Sequence, residues 1–448
     1  MMMDVRGVPV SCSEPAAIDA HEAALTSYQT YVGDPVATID AALERSPDFV
    51  MGHLLRAGVL LTSAERRAVP EARRSLDAVD ALIAGANDRE KGLLVAARHL
   101  LNGDWNCACA AYDAVLTEYP RDVFALQTAH LFDFFRGDAL NLRNRVSRVL
   151  PHWDRAVPGY SYVLGMQAFG LEECNQYTEA EAAGRKALDI EPRDAWAVHA
   201  VTHVMEMCGR IDEGIAWLEG RRDDWAPNNG FAFHNFWHLA LYRLDRGDHE
   251  AVLSLYDSSV YPTPVDVCVV MVDAASLLWR LRLEGAALGD RPMRLADVWA
   301  RRVDDERGYY AFSDVHAVMA FCLDGRFDRA RQLIDHLEHV AAARRGSNGA
   351  MTADVGLPLA RALLAFAEGD DATMIELALP VRDRAHLFGG SHAQRDVITL
   401  TLIEAALRCG RHALARHLIA ERTVHKPASA WGWRLLDRAN GRSRQHFV

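Results

Sequence analysis

The chain has 448 residues, half of them hydrophobic and a quarter charged, enough to bury a large core in one extended array or in two compact units. A formal net charge of −12 argues against nucleic-acid and anionic-membrane partners, because both require a basic face to neutralise phosphates. The eight cysteines are scattered, and the Met-rich start has no apolar secretory core behind it. Reduced thiols in the cytoplasm are therefore expected. Cys107 and Cys109 are two apart and on a helix point in different directions, so they are read as separate small thiols rather than a shared metal or disulfide. The best apolar candidate for a membrane span, Val265 to Trp279, is short and carries Asp266 and Asp273, so no run of membrane length is expected.

In chain order, residues 1–18 read as a loose leading segment. Ala42, Leu43 and Pro47 then mark the end of a first helical unit. From there a glycine or its substitute recurs at the end of each helical pattern: Gly103, Gly137, Asn175, Gly209, Gly247, Gly285, Gly325, Gly369 and Gly410, spaced by 34 to 44 residues. That is the period of a helix-turn-helix repeat. An aromatic two positions after the turn and a small residue three beyond it follow in the clearest units: Trp105 and Ala108, Tyr177 and Ala180, Phe327 and Ala330. Pro120, Pro192 and Pro427 close second helices, where they cannot continue the backbone ladder. The apolar period is three to four rather than two, so the class is all-α, a tetratricopeptide-type helix-turn-helix solenoid of about nine helix pairs. The expected organisation is one superhelical domain over 19–435 and a tail at 436–448 that includes the basic stretch Arg438 to Arg444. Longer connections are expected near Asp223 to Gly230, Tyr261 to Val265, Gly285 to Met293 and Arg344 to Ala350.

The chemistry gathers in the middle of the chain, where His199, His203 and Glu206 precede Gly209, and His234, Asn235 and His238 precede Gly247. Residues three, four and seven apart share a helix side. Stacked repeats therefore place these groups on one wall, and the first helices of such an array line its inner surface. Two His pairs at i, i+4 suit a tetrahedral site for a divalent transition metal such as zinc, with His199, His203, His234 and His238 as ligands. Glu206 could ligate, orient an imidazole, or act as a base. The spacing is not His-Glu-x-x-His, so no metalloprotease motif is present. A metal-free polar site and a structural hydrogen-bond network remain open alternatives.

Asp273 sits in an otherwise apolar helix, and Asp314 and His316 lie close to the same stripe. Both acids read equally well as ligand contacts or as helix caps and buried bridges. Further on, Gly389, Gly390 and Ser391 open a helix carrying His392, Arg395 and Asp396. Its free N–H groups, with His392 and Arg395, would suit a carboxylate or phosphate; the alternative is that Arg395 and Asp396 bridge repeats.

The strings Pro47 to His53, Asp194 to His199, His203 to Met207, His234 to His238, Phe312 to Ala317 and Gly390 to Asp396 resemble, in order, those of the tetratricopeptide repeat protein 38 family. The likeness runs from about residue 20 to 435. It implies an all-helical repeat protein and carries over no settled activity. Three functions follow from the residues: a site on the inner wall for a metal or a small polar or anionic ligand; a hydrolase of a small amide or ester using Glu206, His316 and Arg395; or a scaffold taking a peptide along the groove.

Overall fold

A computed structural model describes residues 2–12 and 14–441. Among these the chain is all-helical apart from one short hairpin. Each of the nine turn residues named above adopts positive φ, from 62° at Asn175 to 89° at Gly369, the left-handed geometry that ends a helix and lets the chain reverse. At the first of these turns Gly103 N donates to Leu100 O and Asp104 N to His99 O. The next helix then starts on a side-chain cap: Asp104, Asp138, Asp248 and Asp370 each accept from a backbone N–H three residues on. At these four boundaries turn glycine and capping aspartate together make the boundary a local property of sequence.

Small residues set the packing distance between helices. Ala108, Ala180 and Ala330 are fully buried. Gly170 permits a close backbone approach, since a Cβ added there would lie 2.6 Å from Arg143 Cα and 2.6 Å from Leu142 O. Both are backbone atoms and cannot rotate away. Gly170→Ala should therefore destabilise by about 1–3 kcal/mol, read as a lower denaturant midpoint with unchanged slope. A midpoint equal to that of the unsubstituted chain would show that the helices slide apart at no cost.

The residues fall into two compact units, where the sequence suggested one domain: residues 1–201 with 223–231, and residues 202–222 with 232–448. The division passes through a single continuous helix, Ala195–Met207.

The first unit begins with order rather than the loose segment expected. Met2–Met3 pairs with Pro9–Val10, and the turn is held by the Asp4 carboxylate, which accepts from the backbone N–H groups of Arg6 and Val8 at 2.8 Å each. The hairpin docks on the Asp88–Leu101 helix: Ser11 N donates to Glu90 and Arg89 to Pro9 O.

In the second unit the array does not simply run on. The Cys268–Leu283 helix packs against His392–Arg408, tied by Trp279 Nε1 donating to Thr401 Oγ1 at 3.0 Å and by Arg280 donating to the carbonyls of Ala393 and Gln394. Asp245 accepts from Ser429 Oγ and from Ala430 N. The last helices of this unit thus return to its first, a closure that a nearest-neighbour repeat pattern does not encode.

The expectation of no membrane-length apolar run needs correction. The helical run Gly346–Glu368 is long and apolar enough by composition, but 61% of its most apolar window is buried, with Leu359, Leu363 and Phe366 in the core. It behaves as a core helix. Arg438 of the basic stretch pairs with Glu404; the stretch beyond residue 441 lies outside the described residues. All eight cysteines are free, Cys107 exposed and Cys109 buried.

Candidate functional site

The predicted stripe is realised on two successive first helices. His199, His203 and Glu206 lie on Ala195–Met207, and His234, Asn235 and His238 on Ala232–Asp245. All six are buried, with His203, Asn235 and His238 at 0% exposure. Burying this many polar groups is costly unless each is directed by a partner.

Two carboxylates provide the direction. His234 Nδ1 lies 2.6 Å from Asp273 Oδ2, and His238 Nδ1 lies 3.0 Å from Glu206 Oε2. A carboxylate only accepts, so each Nδ1 carries a proton, and in the neutral form of such a ring Nε2 is the nitrogen with the lone pair. The His234 ring stacks on Trp237 at 5.3 Å and 9°, which fixes its plane, while Trp237 Nε1 is held by Ser276 Oγ at 3.1 Å. The rings of His203 and His238 are 4.4 Å apart and those of His234 and His238 4.9 Å. His203, His234 and His238 each offer a nitrogen within 4.8 Å of the others. His199 precedes His203 by one turn of the same helix and lies in an aromatic nest of the first unit, beside Phe169, Trp196 and Phe231.

Behind the imidazoles runs a charge relay that sequence reading did not find. Glu206 Oε1 is 2.5 Å from Lys426 Nζ, Lys426 is 3.5 Å from Asp396, and Asp396 receives Nε and Nη2 of Arg422 at 2.8 Å each. Burial alone would raise the Glu206 carboxyl; the Lys426 ammonium and the His238 hydrogen bond outweigh it and hold the group at about 2. Asp396 is likewise held well below the carboxylate range against its burial, by Arg422 and Lys426. His238 is pushed below its ordinary value by burial, against the pull of Glu206. The imidazole is therefore neutral, the form that binds a metal. A cleft lined by Glu206, Arg280, Asp396, Arg422, Lys426 and Ser429 lies beside this chain of charges.

The remaining predicted residues are placed as follows. Asp273 is fully buried beside His234. His316 is buried at 1% exposure, donates from Nδ1 to the carbonyl of Phe312 one turn back at 2.7 Å, and is lowered to about 4 by burial. Asp314 accepts from Gly308 N with both oxygens, the capping duty weighed for it from sequence. Arg395 folds onto its own turn, donating to Gly390 O and lying 3.2 Å from His392 Nδ1. Ser391 and Gln394 form a reciprocal cap that uses the N–H groups of these two residues.

No family model matches the chain. Among solved structures it is similar to a human IFIT1 dimer with m7Gppp-AAAA (13% identity, TM-score 0.46, covering 96% of each chain). It is also similar to yeast Tom70 (12%, 0.42, 94% of this chain and 90% of that one) and to the tetratricopeptide repeat domain of P58(IPK) (16%, 0.21, 88% and 98%). At these values the likenesses bear on no function. The helical repeats and left-handed turns described above make the chain an all-helical protein of helix-turn-helix repeats.

Proposed function

We propose that this repeat protein binds a divalent transition metal of the zinc class at His203, His234 and His238. The observation that carries the reading is the pairing of His234 with Asp273 and of His238 with Glu206. A carboxylate on Nδ1 fixes the tautomer, turns Nε2 outward and raises the basicity of the ring, which is how metal-ligating histidines are commonly oriented. The resemblance to the tetratricopeptide repeat protein 38 family belongs to the same proposal, since its unusual strings include these residues.

Binding is favoured over turnover. A carboxylate held at about 2 is a poor general base at neutral pH, and Glu206 is spent on His238 and Lys426, Arg395 on its own turn. The test is elemental mass spectrometry on the full chain purified without a histidine tag, beside a His203→Ala, His238→Ala double variant. The native chain is expected to hold about one metal more than the double variant does. Asp273→Asn and Glu206→Gln, which keep the ligands and lose the orienting charge, should weaken binding about 10- to 100-fold. A native chain that holds and takes up no more metal than the double variant would overturn the proposal and leave a small polar ligand or a structural network.

A further inference from the structure

A second group of metal-ligating side chains lies in the first unit. His99 is in the last turn of the Asp88–Leu101 helix, Asp104 caps the start of Trp105–Glu118, and Cys107 is in that helix's first turn. The turn between them is fixed by Gly103 at φ 77° and by the bond from Asp104 N to His99 O at 2.9 Å. Each residue offers one donor atom, and the three donors lie within 4.8 Å of one another. His99 and Asp104 are half-buried and Cys107 is exposed, so the group faces solvent and an ion reaches it without the chain opening.

Capping explains only part of this arrangement. Asp104 Oδ1 accepts from Cys107 N at 3.1 Å, the duty that Asp138, Asp248 and Asp370 perform at their own turns. At those turns the positions equivalent to His99 and Cys107 carry Asp133 and Asn141, Arg243 and Ala251, Ala365 and Thr373. One repeat boundary of the four therefore combines an imidazole nitrogen, a carboxylate oxygen and a thiol sulfur, and these are the three donor types that zinc accepts.

We infer that His99, Asp104 and Cys107 form a solvent-facing site for a single zinc-class divalent cation, with one coordination position left to water or to a donor from a partner. Binding exchanges the thiol proton of Cys107 for the metal: the S–H bond breaks, a metal–sulfur bond forms and one proton passes to solvent. The metal competes with the thiol proton, so affinity rises with pH.

The probe is cobalt(II), titrated into the full chain under reducing conditions and followed by absorption. A thiolate-to-cobalt charge-transfer band separates this site from the imidazole wall, which supplies no sulfur, and Cys107→Ser separates it from the other free cysteines. The expected result is a saturable band at one cobalt per chain that disappears in Cys107→Ser, weakens at least about tenfold in His99→Ala or Asp104→Asn, and survives in His203→Ala, His238→Ala. Asparagine caps a helix as well as aspartate, and Cys107 is exposed, so these variants keep the fold, checked by unchanged thermal unfolding. No band in the unsubstituted chain, or a band that persists in Cys107→Ser, overturns the inference. Because the buried wall is read by metal content without sulfur chemistry, either site can fail while the other stands.

Discussion

Lys426→Met should be among the most damaging single substitutions in the second unit, lowering stability by about 3–5 kcal/mol. The lysine side chain is 10% exposed and that of Glu206 4%, so removing the ammonium strands a carboxylate that water cannot reach, and Asp396 loses one of its two cations. The double variant Glu206→Gln, Lys426→Met should recover most of the loss, because a neutral amide still meets His238 without an uncompensated charge. In the native chain the folded carboxyl sits near 2, below its ordinary 4.5. Its contribution is therefore complete above about pH 4.5 and is lost as pH falls towards 2. In Lys426→Met burial prevails and the group rises, so the deficit should shrink on acidification to pH 5. Denaturant unfolding of both variants at pH 7.5 and pH 5 checks this; a single-variant loss below about 1 kcal/mol would mean that solvent already reaches Glu206.

The second large effect is acid lability centred on His316. Its ring is lowered to about 4 by burial, with Arg280 opposing the charged form and Asp273 favouring it. The unfolded chain takes up a proton near pH 6.5 and the folded chain does not until about 4. Stability is thus fully present above 6.5 and falls as pH drops through that window, by about 1.4 kcal/mol per unit and on the order of 3 kcal/mol by pH 4. His130, lowered by burial to about 3, adds to the slope in the same direction. His316→Gln should make the pH dependence of unfolding free energy shallower by about one proton across this interval. An unchanged slope would show that His316 is protonated in the fold.

What the sequence made legible was whatever the chain determines locally. Turn positions follow from glycine and asparagine at positive φ, and the imidazole stripe follows from spacings of three and four on a helix. Gly103, Asn175 and Gly209 were identifiable for that reason, as were His199 with His203 and His234 with His238. Lys426 was not, because it lies 220 residues from Glu206 and at its own helix end looks like an ordinary cation complementing the dipole. Arg395 and His316 carried the right chemistry, but their side chains are claimed by carbonyls within five residues, a local competition that helical spacing does not reveal. The leading hairpin was missed because strands of two residues show no alternation, and its turn depends on one aspartate.

The long reach from Glu206 to Lys426 also sets an order of events during synthesis. At ordinary elongation speeds of about 5–20 residues per second, roughly 10–45 s separate the emergence of the carboxylate from that of its lysine. Throughout that interval the helices bearing the histidines exist without the cation that makes their burial tolerable, so the second unit stays open to proteases and chaperones until its last helices arrive. A nascent chain stalled anywhere between the two residues would carry its imidazoles exposed.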